Sequence, residues 1–228
     1  MFKRMNQLIH PITDIVFPPV CACCGNLLMD RQSMICELCV SSRFEHTGFN
    51  QADILPESVC FQLSLWNFDK YGYLQQLLHK LKYDHCTTVG EQMGRQAGLN
   101  LLKSGYLDSP ENWRLLAVPL HRKRWRKRGY NQSDVIASGI SDTTGIQLLS
   151  SGCIERVKHT RTQTGLNSGE RQKNLSGAFQ IRMPLELQNQ HVIIVDDVYT
   201  TGATTFELAQ VIYGQNGLKC GIMTIAKA

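Results

Sequence analysis

The chain has 228 residues, 24 Lys and Arg against 19 Asp and Glu, and a formal net charge of +5. That length makes one full domain with an appendage, or two small ones, and 43% hydrophobic against 19% charged residues excludes a disordered chain. The positive excess is local: Arg122, Lys123, Arg124, Arg126, Lys127 and Arg128 fall within one heptad, and without them the acids outnumber the bases by one.

Leu8, Ile9, Ile12, Ile15 and Val16 have helical spacing, but Pro11 interrupts them and Pro18-Pro19 ends them, so residues 8–16 make a short helix at most. Asn6, Gln7 and His10 break any signal-peptide core behind Lys3 and Arg4. No apolar run approaches the ~20 residues of a spanning helix. A cytoplasmic location without membrane insertion is expected.

Five of the nine cysteines lie between Cys21 and Cys39. An odd, uneven set argues against a disulfide framework. Cys21-x-x-Cys24 and Cys36-x-x-Cys39 are paired turns, each able to place two thiolates on one ion, and together they make a tetrahedral four-cysteine Zn2+ site. Gly25 suits the tight turn after the first pair. A redox CxxC pair or a chance accumulation are the competing readings, and the doubled spacing favours zinc. With all four positions filled by protein the site is structural. Cys23 is an extra thiol within the first turn.

Val59 to Leu65 alternates apolar and polar positions, a period-2 strand. Tyr73, Leu74, Leu77, Leu78 and Leu81 repeat at three and four, a helix. A second helix is expected over 88–103, where Gly90, Gly94 and Gly98 permit close approach of another element. Leu115 to Pro119 reads as a buried strand, followed by the basic heptad as a loop and a helix around 131–140. Ile146 to Leu149 is a short strand. From Glu155 to Asn174 apolar residues are few, a long polar excursion of the kind that serves as lid or binding segment. Val192 to Val195 is an apolar strand ending in Asp196-Asp197, a helix starts near Ala203, and the last strand covers Lys219 to Ala226. Strands alternating with helices predict an α/β fold with a parallel sheet.

In such folds ligands bind beyond the carboxyl ends of strands. Here that end carries two carboxylates, and Thr200-Thr201-Gly202-Ala203-Thr204 follows as a hydroxyl-rich turn into a helix, suited to a phosphate. Acids that accept from sugar hydroxyls beside a phosphate cup describe a ribose 5-phosphate site. A Walker B strand would need a G-x-x-x-x-G-K-[ST] loop and a dinucleotide fold a G-x-G-x-x-G turn, and the chain has neither. Two ordinary surface acids would not be joined to the threonine turn. Trp125 among six cations suggests single-stranded nucleic acid, with a solvated charged loop as the plain alternative.

Val192 to Thr204 resembles the phosphoribosyl pyrophosphate (PRPP) motif of type I phosphoribosyltransferases. Four further stretches narrow the resemblance to the ComF family of competence-associated proteins, which includes the GntX-like proteins. These are the cysteine finger after Phe17-Pro18; Leu81-Lys82-Tyr83; Val118-Pro119-Leu120 through Arg128-Gly129-Tyr130-Asn131-Gln132; and Thr162-Gln163, Arg171 and Asn174 leading to Phe179. It runs nearly the whole chain in family order.

The resemblance implies a type I phosphoribosyltransferase fold, a mostly parallel sheet flanked by helices, over 46–228, behind an N-terminal helix and zinc ribbon over 1–45. It implies that Asp196 and Asp197 hold the ribose hydroxyls and are the catalytic pair if the protein is an enzyme. Thr200, Thr201, Gly202, Ala203 and Thr204 would hold the 5-phosphate. Arg122, Arg124 and Arg128, with Lys82 and Tyr83, would hold pyrophosphate. Arg161, Gln163, Arg171 and Asn174 would belong to a flexible lid, and Mg2+ would accompany PRPP. It further implies a role in DNA uptake during natural transformation, with single-stranded DNA against Arg122, Lys123, Arg124, Trp125, Arg126, Lys127 and Arg128, beside competence-machinery partners such as a helicase. The alternative is an active phosphoribosyltransferase on an unidentified base or amine.

Overall fold

The computed structural model describes residues 18–29, 33–48, 54–158 and 177–228. The helix expected over 8–16 and the lid residues Arg161, Gln163, Arg171 and Asn174 lie outside them. The chain divides into two compact units, Met1–Phe44 and Glu45–Ala228. In the first, Val20 and Leu27 form an antiparallel bridge around the first cysteine turn. Gly25 there has φ +74, a left-handed position that glycine adopts without strain. A short helix, α1 (Glu37–Ser42), carries Cys39.

The second unit is α/β. Its main sheet contains β1 (Val59–Asn67), β2 (Trp113–Ala117), β3 (Gln147–Leu148), β6 (His191–Tyr199) and β7 (Cys220–Lys227). Their order is β1-β7-β6-β2-β3, and every pairing is parallel. The strand expected over Ile146 to Leu149 is thus two residues at a sheet edge. A separate antiparallel pair, β4 (Ile154–Arg156) and β5 (Phe179–Ile181), brackets the polar excursion in sequence. Sequence reading gave no strand there, because three residues are too few for a period of two to register.

The two helices expected after β1 form as α2 (Tyr73–Tyr83) and α3 (Thr87–Lys103). Next come α4 (Arg122–Arg128), α5 (Gln132–Thr144) and α6 (Ala203–Asn216). The basic heptad is therefore a helix and not the expected loop. His121 Nδ1 accepts from the Lys123 N–H at its start, and Gly129 ends it at φ +80. Arg126, Lys127 and Arg128 stand in its last turn, where the helix dipole favours cations.

β1 forms where the alternation predicts a strand and, although it stands at the edge of the sheet, it is covered on both faces. The polar side chains Gln62 and Ser64 are buried, and they bond to each other and to Thr224 of β7. Gln62 donates to Ser64 Oγ, and Ser64 and Thr224 share a hydrogen bond, both at 2.7 Å.

On one side of the sheet Leu116, Ile194 and Ile222 pack with Leu208 and Ile212 of α6 and with Ile154 and Phe179 of the small hairpin. α5 packs against β2 and β6, and α3 against α5. The α3–α5 crossing is close because it is built on glycine. A Cβ on Gly94 would lie 2.2 Å from the Ile136 carbonyl oxygen, and one on Gly139 2.2 Å from that of Glu91. Neither carbonyl can rotate away, so the helices would have to separate. Gly139→Ala gains about 1 kcal/mol of helix propensity but loses more to overpacking, typically 1–3 kcal/mol and here at the upper end. A melting temperature lowered by about 5 °C is expected in calorimetry, whereas an unchanged or raised one would show that the crossing relaxes freely.

Candidate functional site

β2 and β6 are neighbours, but the chain leaves them in opposite directions: outward to β3 through α4 and α5, and back to β7 through α6. Where connections diverge beyond the carboxyl ends of parallel strands, a crevice opens. Here it is a cleft of about 580 Å³. Asp196 and Asp197, from the C-terminal half of β6, which runs on to Tyr199, face it with Thr200, Gly202, Ala203 and Thr204 from the turn into α6. Lys82 and Tyr83 reach it from the end of α2, and Arg124 and Arg128 from α4. Residues more than a hundred positions apart are thereby brought together.

The carboxylates differ in setting. Asp197 is buried and ion-paired with Lys82 Nζ. Asp196 accepts from Ser133 Oγ at 3.0 Å and from the Asp197 N–H at 2.9 Å. Burial and the adjacent Asp197 charge push the Asp196 carboxyl up to about 7, against these donors and Lys82. Burial pulls the Lys82 ammonium down, but Asp197 and then Asp196 outweigh it and leave Lys82 above its ordinary value.

A carboxyl raised on folding is bound to its proton more tightly in the folded state. Its ionisation therefore erodes stability as pH rises from about 4, the unfolded value, through about 7. Asp196→Asn should be more stable than the parent to urea at pH 8, by about 1–3 kcal/mol. The gap should close as pH falls toward 5. A variant less stable at pH 8 would show that the Asp196 charge is well accommodated.

Gly202 has φ +70, and a Cβ there would meet the Phe206 ring at 2.6 Å. Glycine lets the turn tuck beneath that ring and start the 14-residue α6 directly at the cleft. The first N–H groups of a helix lack carbonyl partners within it and attract anions.

Several lining residues escaped the sequence reading. Thr205 is buried and donates to the Gly202 carbonyl at 3.0 Å. Arg156, at the end of β4, is 6% exposed. Burial and then the nearby Arg124 charge lower its pKa, while Asp196 opposes them. His85 is another such residue, while Lys127, expected as a DNA contact, and Gln132, from the family-like stretch, also face the cleft. With Lys82, Arg124, Lys127, Arg128 and Arg156 against Asp196 and Asp197, the lining is cationic around a carboxylate pair. It suits a ligand with anionic ends and a hydroxyl-bearing middle.

Arg122 and Thr201 are not part of this lining. Arg122 points elsewhere because the heptad is helical. Its guanidinium pairs with Glu155, Nη2 to Oε1, at 2.7 Å, and Arg182 pairs with the other oxygen at 2.9 Å. The Arg128-to-Gln132 segment also does structural work. Arg128 stacks over the Tyr83 ring at 5.5 Å and bonds to Gln132. Tyr130 donates to the Leu81 carbonyl, and Asn131 to that of Val118.

In the first unit the thiols of Cys21, Cys24, Cys36 and Cys39 all lie within 4.8 Å of one another. Cys24 and Cys36 Sγ are 3.8 Å apart, the tetrahedron edge expected for Zn–S bonds of about 2.3 Å. Burial would raise Cys21, but N–H donation led by Cys36, at 3.3 Å, outweighs it and brings the thiol down to about 6. Such N–H···S bonds stabilise thiolates at a metal. Cys23 is outside the cluster, its thiol pushed up to about 12 by burial and by the neighbouring thiols. The donor set fits Zn2+.

No family model matches the chain. It is 31% identical over 196 residues to the DNA utilization protein YhgH of Salmonella typhimurium, covering 85% of this chain and 83% of that relative. It is 35% identical over 142 residues to the protein of the same name in Escherichia coli O157:H7, 61% of this chain and 60% of the relative. With Competence protein F of Haemophilus influenzae it shares 38% identity over 143 residues, 61% of each. The Escherichia and Haemophilus matches thus span about three fifths of those relatives' length.

Proposed function

Because this chain belongs to the ComF family, we propose that it serves DNA uptake, binding PRPP with Mg2+ in the cleft and single-stranded DNA along α4. What supports this most is the cleft itself, where Asp196-Asp197, the start of α6 and the cations of α2 and α4 converge on one space. PRPP has matching parts. Its 5-phosphate would lie against the Gly202–Thr205 turn, where helix N–H groups and threonine hydroxyls meet it. Its ribose hydroxyls would donate to Asp196 and Asp197, so Lys82 must share Asp197 with the sugar. Its pyrophosphate would face Arg124 and Arg128, with Lys127 and Arg156 adding field. Mg2+ arriving with PRPP would neutralise pyrophosphate charge. The competence-machinery role and a cytoplasmic setting belong to the same reading.

The second reading is an active phosphoribosyltransferase, and the placement of the carboxylate pair favours it. Breaking the bond from the anomeric carbon to pyrophosphate builds positive charge on the ribose, and two acids beneath the sugar stabilise that charge. The acceptor nitrogen forms the new bond and pyrophosphate departs. Titration calorimetry with Mg-PRPP, with and without a single-stranded oligonucleotide, tests the first reading. Saturable heat at one site per chain is expected, and none would overturn it. Pyrophosphate release with bases or ammonia separates the second from the first.

A further inference from the structure

Helix α4 divides the basic heptad between two cavities. Arg124, Lys127 and Arg128, spaced at three and four, line the cleft. Arg122, Trp125 and Arg126, at the same spacing, line a second cavity of about 360 Å³. That volume holds one nucleobase with its sugar and little more.

The second cavity has the walls of a stacking site. Pro119, Leu148 and Leu149 give it apolar surface beside the sheet edge, while Asn131, Asp134 and Ser150 offer polar atoms. Trp125 is 54% exposed on its rim, whereas Trp66 and Trp113 are buried. A solvated charged helix has no use for an exposed indole. Of the two acids at the cavity, Glu155 is held between Arg122 and Arg182, and burial pushes the Asp134 carboxyl up, toward its neutral form. Among the described residues, Lys123 and Arg126 pair with no acid, lie outside the cleft lining and are available to phosphates.

We propose that this cavity receives one unstacked base of single-stranded DNA, stacked on Trp125, while the flanking phosphates run along Lys123 and Arg126. The inference rests on the reading of α4 as a DNA contact and adds a base site to it. A leucine-walled cavity serves a flat aromatic ring better than a free phosphate, and the row of cations selects a polyanion. In a duplex the base would be unavailable.

The test compares oligo(dT) with an abasic oligonucleotide of equal length and charge, read by anisotropy and by Trp fluorescence at two salt concentrations. Oligo(dT) should bind about tenfold tighter and quench the one exposed tryptophan. Trp125→Ala, and Ser151→Phe, which fills the cavity from an exposed turn, should each erase that advantage. The salt dependence of what binding remains should be unchanged, and thermal melts verify the fold. Equal affinity for both oligonucleotides would overturn the base site while leaving the phosphate contact standing. Absence of binding by either would overturn both.

Discussion

Asp197→Asn is expected to abolish measurable Mg-PRPP binding, lowering affinity at least about a hundredfold. Two effects add. The substitution removes a charged acceptor for a ribose hydroxyl, and hydrogen bonds to charged groups are worth about 1.5–3 kcal/mol. It also strips Lys82 of its ion-pair partner at a partly buried position, and breaking such a pair from one side is strongly destabilising. Asp197→Asn should therefore lose stability as well as ligand. Asp196→Asn offers the contrast, since it too should lose PRPP affinity while gaining stability at pH 8. Binding and stability move together in one variant and apart in the other, which a general loss of structure could not produce. Should both variants bind Mg-PRPP as the parent does, the acid pair is not a ribose contact and the proposed function falls. Calorimetry alongside urea unfolding of each variant reads both quantities.

What the sequence conveyed and what it withheld follow the range of the interactions concerned. The helix of Leu74, Leu77, Leu78 and Leu81 and the strand before Asp196 were legible, because their burial pattern repeats within the segment. The α3 glycines were legible as a close approach, though not their partner, since Gly139 lies some forty residues on. The burial of both faces of β1 was not legible, because Gln62 and Ser64 look solvent-facing until Thr224, 160 residues from Ser64, supplies a partner. Ser133 is likewise tied to Asp196 only in space. The helical state of the heptad was the one missed element with local signals, a glycine after it and cations toward its end. Its lack of apolar periodicity hid them.

That last correction changes the account of the charge. A loop would have left six cations competing for one anion, more than pyrophosphate requires. A helix separates them by face, so the surplus is assigned by geometry: three cations line the cleft, and two line the second cavity with Trp125. Binding of PRPP and of DNA then need not exclude each other. The oligonucleotide arm of the calorimetry reports whether a ligand on one face of α4 alters affinity on the other.

Removing the metal is expected to have the largest structural effect of all, confined to Met1–Phe44. The described part of that unit buries few large apolar side chains, with Ile35 1% and Phe44 6% exposed, and otherwise the thiols of Cys21 and Cys39. So small a core cannot offset the entropy of ordering the segment, whereas structural zinc supplies apparent binding energies of about 10–16 kcal/mol at pH 7. The parent protein should carry one Zn2+ per chain by elemental analysis. Chelation, or Cys24→Ser, should erase amide-exchange protection over residues 18–29 and 33–44. Protection of the parallel sheet should persist, because its ladders form entirely between Val59 and Lys227. Cys23→Ser should keep the metal, since that thiol lies outside the cluster of four. Loss of zinc from Cys23→Ser to the extent seen with Cys24→Ser would mean that the ligand set is wrong. Retention in both would mean that three thiolates suffice.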